Sequence, residues 1–237
     1  MKRKSIIVAV VVVVVIVAAL IGGFLVYAQH FASSVNQPHQ AAGPISVTGT
    51  PTTIAGLRTF QIVPDQTTAS YSVYENLIIE NKPHNKVVGT THAVQGSFGV
   101  RTEPSPLIAN VKITVDLRTL QTDSPRRDNY VQRNALQTDQ YPYATFVSVL
   151  TQGLPASYSD GQNVHFKLIG NLTMHGKTNR AEFDVQGKLS GDTITGTATT
   201  TIYMTDFGIQ PPNLANIAIS ENQVTLSINF TARASGS

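Results

Sequence analysis

The side chains of this 237-residue chain that could do chemistry are six histidines and a scatter of carboxylates, arginines and serines; there is no cysteine. Without cysteine there is no thiol nucleophile, no disulfide framework and no thiolate ligand for zinc or an iron–sulfur cluster. His30, His39, His84, His92, His165 and His175 form no HExxH motif and no i, i+4 pair, so their spacing implies no metal centre. No serine sits in the GxSxG elbow of a hydrolase. Asp206-Phe207-Gly208 has the letters of the kinase metal-binding triplet but none of the accompanying signatures. Scattered Asp and Glu do not define a glycosidase pair. Arg126, Arg127 and Asp128 are the one charged constellation at a helix start, where they could meet an anion or brace the scaffold. The expectation is a protein with no catalytic residue and no cofactor.

The element that carries this constellation is the one convincing helix. Ser124 is a good N-cap, Pro125 suits the first helical position, and Tyr130, Val131, Ala135 and Leu136 give a short, weakly amphipathic face. It must end before Tyr141-Pro142, because proline pushes its predecessor out of helical geometry. Everything around it reads as strand: Arg58–Val63, Thr68–Ile79, Val87–Val100, Leu107–Leu117, Thr145–Leu150, Val164–Leu172, Arg180–Leu189, Thr193–Tyr203 and Gln223–Ala232. Apolar residues alternate with polar ones, as in Val224, Leu226, Ile228 and Phe230, so one face turns inward and the other meets water. Without βαβ spacing the sheet is antiparallel. A closed barrel, which removes free edges, is preferred over a β-sandwich with the same alternation.

The N-terminal region has a different character. Ile6–Val26 carries no charge and as a helix would span roughly 31 Å, about the thickness of a hydrocarbon core. Lys2, Arg3 and Lys4 precede it, and no charged side chain follows until Arg58, which puts the N-terminus in the cytoplasm and the rest outside. The alternative is a cleaved signal peptide that leaves the domain secreted. Residues 1–28 are therefore expected to be a basic tip and transmembrane anchor. Residues 29–57, with Pro38, Pro44 and Pro51 and no formal charge, read as a flexible stalk, and 58–237 as the folded domain. Setting aside the basic tip leaves 14 of the 17 basic residues against 14 acidic ones, so no basic surface for nucleic acid is expected.

The run from "TLQTD" through "RRD" to "LQTDQYPYATF", then "GNLTMHGKT" at Gly170–Thr178 and "DFGI" at Asp206–Ile209, resembles the YceI-like polyisoprenoid-binding family. Val87–Val100, "VVGTTHAVQGSFGV", is similar to the opening of one branch, and the resemblance runs from about Thr59 to Ala232. It implies an all-β, antiparallel, eight-stranded lipocalin-like barrel with one short helix, whose interior holds an apolar isoprenoid chain. Met204-Thr205 stands where the family pattern has an arginine followed by one residue, so no head contact by that arginine is expected. On the inferred inner face Phe98, Ile113, Phe146, Phe166, Phe183, Leu226, Ile228 and Phe230 would line an apolar tunnel. His92, Arg127 and His175 would form a polar rim. The expected function is sequestration or transport of such a lipid by a membrane-anchored extracytoplasmic protein. The competing reading is an envelope interaction module with a solid barrel core.

Overall fold

Period-two alternation over most of the chain closes the sheet on itself in the computed structural model, which describes residues 41–46, 54–214 and 217–235. The strands are β1 (Arg58–Ile62), β2 (Thr68–Leu77), β3 (Lys82–Thr91), β4 (Val94–Arg101), β5 (Leu107–Asp116), β6 (Tyr143–Gln152), β7 (Val164–Met174), β8 (Lys177–Ser190), β9 (Thr193–Tyr203), β10 (Asn213–Leu214) and β11 (Ala218–Ala234). Every pairing is antiparallel. The order β1-β4-β5-β6-β7-β8-β9-β11 returns to β1 through Phe60↔Ala234 and Ile62↔Ala232, so eight strands form a closed barrel. Closure leaves no free edge in this ring.

The segment Val87–Val100, read from sequence as one strand, is two. β3 and β4 meet at a corner at His92-Ala93, and β1 and β2 bend at the same level through the 3₁₀ turn Pro64–Gln66. The corner is pinned from both sides. His92 Nδ1 donates to the Thr67 carbonyl at 2.8 Å, and buried Thr67 accepts the Thr231 N–H on its hydroxyl at 3.2 Å. Past the corner β2 still pairs with β11, but among the described residues β3 pairs with no strand other than β2 and meets the segment after β5 at Thr90↔Gln121 and through the Thr91 and Thr119 hydroxyls, 2.6 Å apart. The chain between β5 and β6 lies across this end.

That connection holds the expected helix. The Ser124 hydroxyl accepts the Arg127 N–H, Pro125 opens α1 (Pro125–Tyr130), and the helix continues as a π turn over Val131–Ala135. The widened turn closes with the Leu136 N–H on the Val131 carbonyl at 2.8 Å. At Gly170, opposite the irregularity between Ser148 and Leu150, an added Cβ would lie 2.2 Å from the Val147 carbonyl oxygen, so only glycine fits.

The expected anchor, Ile6–Val26, and most of the expected stalk lie outside the described residues. Among the described residues no helix is long and apolar enough to cross a membrane. Of the stalk, the stretch Ala41–Ser46 is tied to the barrel wall. The Asn171 amide bonds both the N–H and the carbonyl of Ile45 at 2.7 and 2.9 Å, and the Arg180 N–H reaches the Ala42 carbonyl at 2.9 Å.

Candidate functional site

Inward side chains do not fill the barrel. At the end crossed by α1 a cavity of about 500 Å³ opens, within the several-hundred Å³ range of small-molecule sites. A second cavity of about 110 Å³ occupies the other end. Successive inward positions on each strand show how they are arranged. On β7, Phe166 and Leu168 line the small chamber, Leu172 lines neither, and Met174 lines the large one. Along β5 and into the turn after it the sequence is Ile113, then Val115, then Leu117; on β9 it is Ala198, then Thr200, then Ile202. A layer of side chains therefore separates two chambers. Its centre is Phe146 and Phe183, packed edge to face with centroids 4.9 Å apart.

The eight residues expected to line one tunnel are thus distributed. Phe98, Ile113, Phe166, Ile228 and Phe230 line the small chamber, and Leu226 the large one. Phe146 and Phe183 are buried in the dividing layer. Leu226, Ile228 and Phe230 face inward and pack against the core yet stay only partly buried, because each also borders a chamber. A single continuous tunnel is not observed.

Of the expected polar rim, Arg127 alone reaches a chamber. Its guanidinium stands in the large one against Glu75, Nη2 to Oε1 3.1 Å, with the Glu75 side chain only 7% exposed and Arg127 21%. Its Nη1 also pairs with Asp123 and donates to the Thr122 hydroxyl at 3.3 Å. Asp128 does not cap its own helix. It turns back to accept the Thr122 N–H and hydroxyl at 2.9 and 2.7 Å, bracing the loop that carries Arg127. His92 stays at its corner. His175 sits in the two-residue turn between β7 and β8, where it and Gly176 have φ of 49° and 72°, the pattern of a hairpin turn. Its Nδ1 donates to the Phe207 carbonyl at 3.2 Å, and its buried Nε2 has no hydrogen-bond partner among the described residues. Both histidines fasten backbone and neither lines a chamber.

The Asp206-Phe207-Gly208 triplet is a floor, not a phosphate site. The 3₁₀ turn Met204–Phe207 ends on Gly208 at φ 71°, and the Asn179 amide holds the Asp206 carbonyl at 2.9 Å. This buries Phe207 and places Met204 and Ile209 against the large chamber.

Two lining residues were not anticipated. Glu75 is invisible in the sequence, because an alternating strand gives no signal that one acidic position turns inward. Tyr71 presents a phenol with no hydrogen-bond partner among the described residues. Burial first, then the carboxylate of Asp128, push that phenol up to about 12, so it stays a neutral donor. The chamber reaches the surface beside exposed Arg126, Glu80 and Ile217. Ile78 and Ile79, the latter 74% exposed, lie next to this mouth, joined to it by the Ile78 N–H on the Ile217 carbonyl at 2.8 Å. Among the described residues no cluster of His, Asp and Glu could hold a metal ion.

Residues 60–232 match the model of the YceI-like domain. Curated relatives called UPF0312 protein, from Pseudomonas putida strains GB-1 and W619, are 34% identical over 110 residues, which cover 43% of this chain and 54% of each relative. The chain thus spans about half the length of the curated relatives it matches. A solved polyisoprenoid binding domain from Saccharophagus degradans, implicated in plant cell wall breakdown, has a TM-score of 0.60 at 15% identity over 74% of this chain and 98% of its own. Burkholderia cenocepacia BcnA has a TM-score of 0.54 at 19% identity, covering 72% and 98%. These likenesses establish a shared barrel.

Proposed function

This chain belongs to the YceI-like domain family, and from that we propose that it binds an isoprenoid or similarly apolar lipid in the large chamber without catalysing a reaction. The observation that carries the proposal is an unfilled, largely apolar space of about 500 Å³ that opens to the surface. Burial of a hydrocarbon chain there is favourable by about 0.8 kcal/mol per CH₂ and needs no directional partner. The polyisoprenoid-binding activity ascribed to the Saccharophagus degradans domain of the same fold agrees with it. Ile78, Ile79 and Ile217 at the mouth give an incoming chain an apolar path from outside. The charge asymmetry around Ile6–Val26 supports an anchor that keeps the barrel outside the cytoplasm and beside a bilayer, where such lipids reside.

The test is organic extraction of the purified chain followed by mass spectrometry. Wild-type protein should yield a lipid that Ala135→Trp, which fills the large chamber, does not retain. An extract no richer from wild type than from the filled variant would remove the proposal. A second reading, an envelope interaction module, keeps some support from exposed Tyr143, Val147, Val149 and Leu150 on β6, although the solid core it assumed is not observed.

A further inference from the structure

The larger chamber has very few polar groups, and their pairing restricts what can be held among them. Arg127 is its only inner cation among the described residues, and both Nη atoms are already engaged, one by Glu75 and the other by Asp123 and Thr122. Asp128 adds a second carboxylate close behind Glu75, whereas Asp123 is 86% exposed and screened by water. The local balance is therefore negative, and a second anion brought inside would lose hydration without gaining an unpaired cation, which is costly in an apolar site. Arg126 has no ion pair among the described residues, but it is exposed at the mouth, where water screens it. Three hydroxyls of the lining, those of Tyr71, Tyr130 and Ser220, have no hydrogen-bond partner among the described residues, and Tyr71 is the one that shares strand β2 with Glu75, four positions before it.

We infer that the larger chamber selects a lipid whose head is uncharged and offers a hydrogen-bond acceptor, taken by the Tyr71 hydroxyl, and that Glu75 turns it against an anionic diphosphate head. The inference rests on the reading that this chamber holds an apolar lipid. The perturbed phenol agrees with it: burial first, and then the Asp128 carboxylate, oppose its ionisation, and both oppose another negative charge beside it.

The experiment uses the full chain in phosphatidylcholine nanodiscs, labelled with a photoactivatable farnesyl ether whose adducts are mapped to peptides. Unlabelled farnesol and farnesyl diphosphate, which share one tail, are compared as competitors for adducts on peptides of the large chamber. Farnesol should compete at about tenfold lower concentration than the diphosphate, equivalent to ~1.4 kcal/mol. Glu75→Gln should narrow that ratio at least about threefold, and Tyr71→Phe should weaken farnesol about threefold, the scale of one net hydrogen bond. Differences in partition into the bilayer are common to all three chains and cancel in the comparison. A diphosphate that competes as well as farnesol, or a ratio unmoved by either substitution, overturns the inference while lipid binding stands. If Arg126→Gln then abolishes the diphosphate's hold, the head contact belongs to the mouth. Absence of adducts on those peptides in wild type removes the lipid reading itself, and the head-group inference with it.

Discussion

Glu75 is a carboxylate held in a hydrocarbon wall, and its charge is tolerable only because Arg127 stands 3.1 Å away. Taking away one partner of such a pair is far worse than never having had it, since the survivor is left charged and desolvated. Arg127→Ala should therefore lower stability by about 3 kcal/mol in urea unfolding, and Arg127→Ala combined with Glu75→Ala should recover part of the loss. An equal or larger loss in the double variant would show that the pair is not what holds this end. Tyr71 gives a second check, through pH. Its phenol ordinarily ionises near 10 and is pushed up to about 12 in the folded chain, first by burial and then by Asp128. The folded state binds this proton more tightly than the unfolded state does. The contribution is therefore complete below about 10 and is lost as pH rises through about 12. Thermal unfolding of wild type should weaken over that window by on the order of 2 kcal/mol more than Tyr71→Phe. Parallel alkaline profiles would contradict it.

Local rules written into the sequence survive at the level of elements, and the departures have identifiable causes. The Ser124 cap and Pro125 start are seen as expected, because both act within one turn of chain. The π turn that follows was not legible, since it answers to what Val131 and Ala135 must reach across the barrel and not to helix propensity. The same distinction holds for the strands. Alternation located nearly all of them, whereas the corner at His92 depends on a carbonyl of Thr67 on another strand, and the two chambers depend on volumes that alternation does not encode. Aromatic residues were legible as inward but not as wall or divider. Histidines in family-like segments proved to be turn and corner fasteners. Since α1 and the π turn cover the large chamber, Ser124→Ala should cost about 1 kcal/mol through loss of the cap. Amide exchange should then rise over residues 125–136 and leave β7 and β8 unchanged. A uniform rise across the barrel would mean that this segment does not open on its own.

For the molecule as a whole, the decisive feature is that closure of eight strands makes room which the side chains then divide unequally. A single apolar tail cannot use both chambers while Phe146 and Phe183 meet between them at 4.9 Å. The dividing layer thus sets a limit on tail length that the barrel alone would not impose. Phe183→Ala removes the ring on β8 between the liner Val185 of the small chamber and the Met174 end of the large one. Such a deletion from a packed layer costs about 3–5 kcal/mol, so the variant must first be shown to fold by circular dichroism and a cooperative melt. In a folded variant the two spaces join, and the preference among isoprenoid alcohols of increasing length should move toward longer tails, with the shortest unchanged or weaker. Ala198→Phe, which fills the small chamber, should leave the wild-type preference as it is but cancel the shift in the Phe183→Ala background. If length preference is the same in all of these chains, the layer is not what measures the tail, and the limit must lie at the mouth.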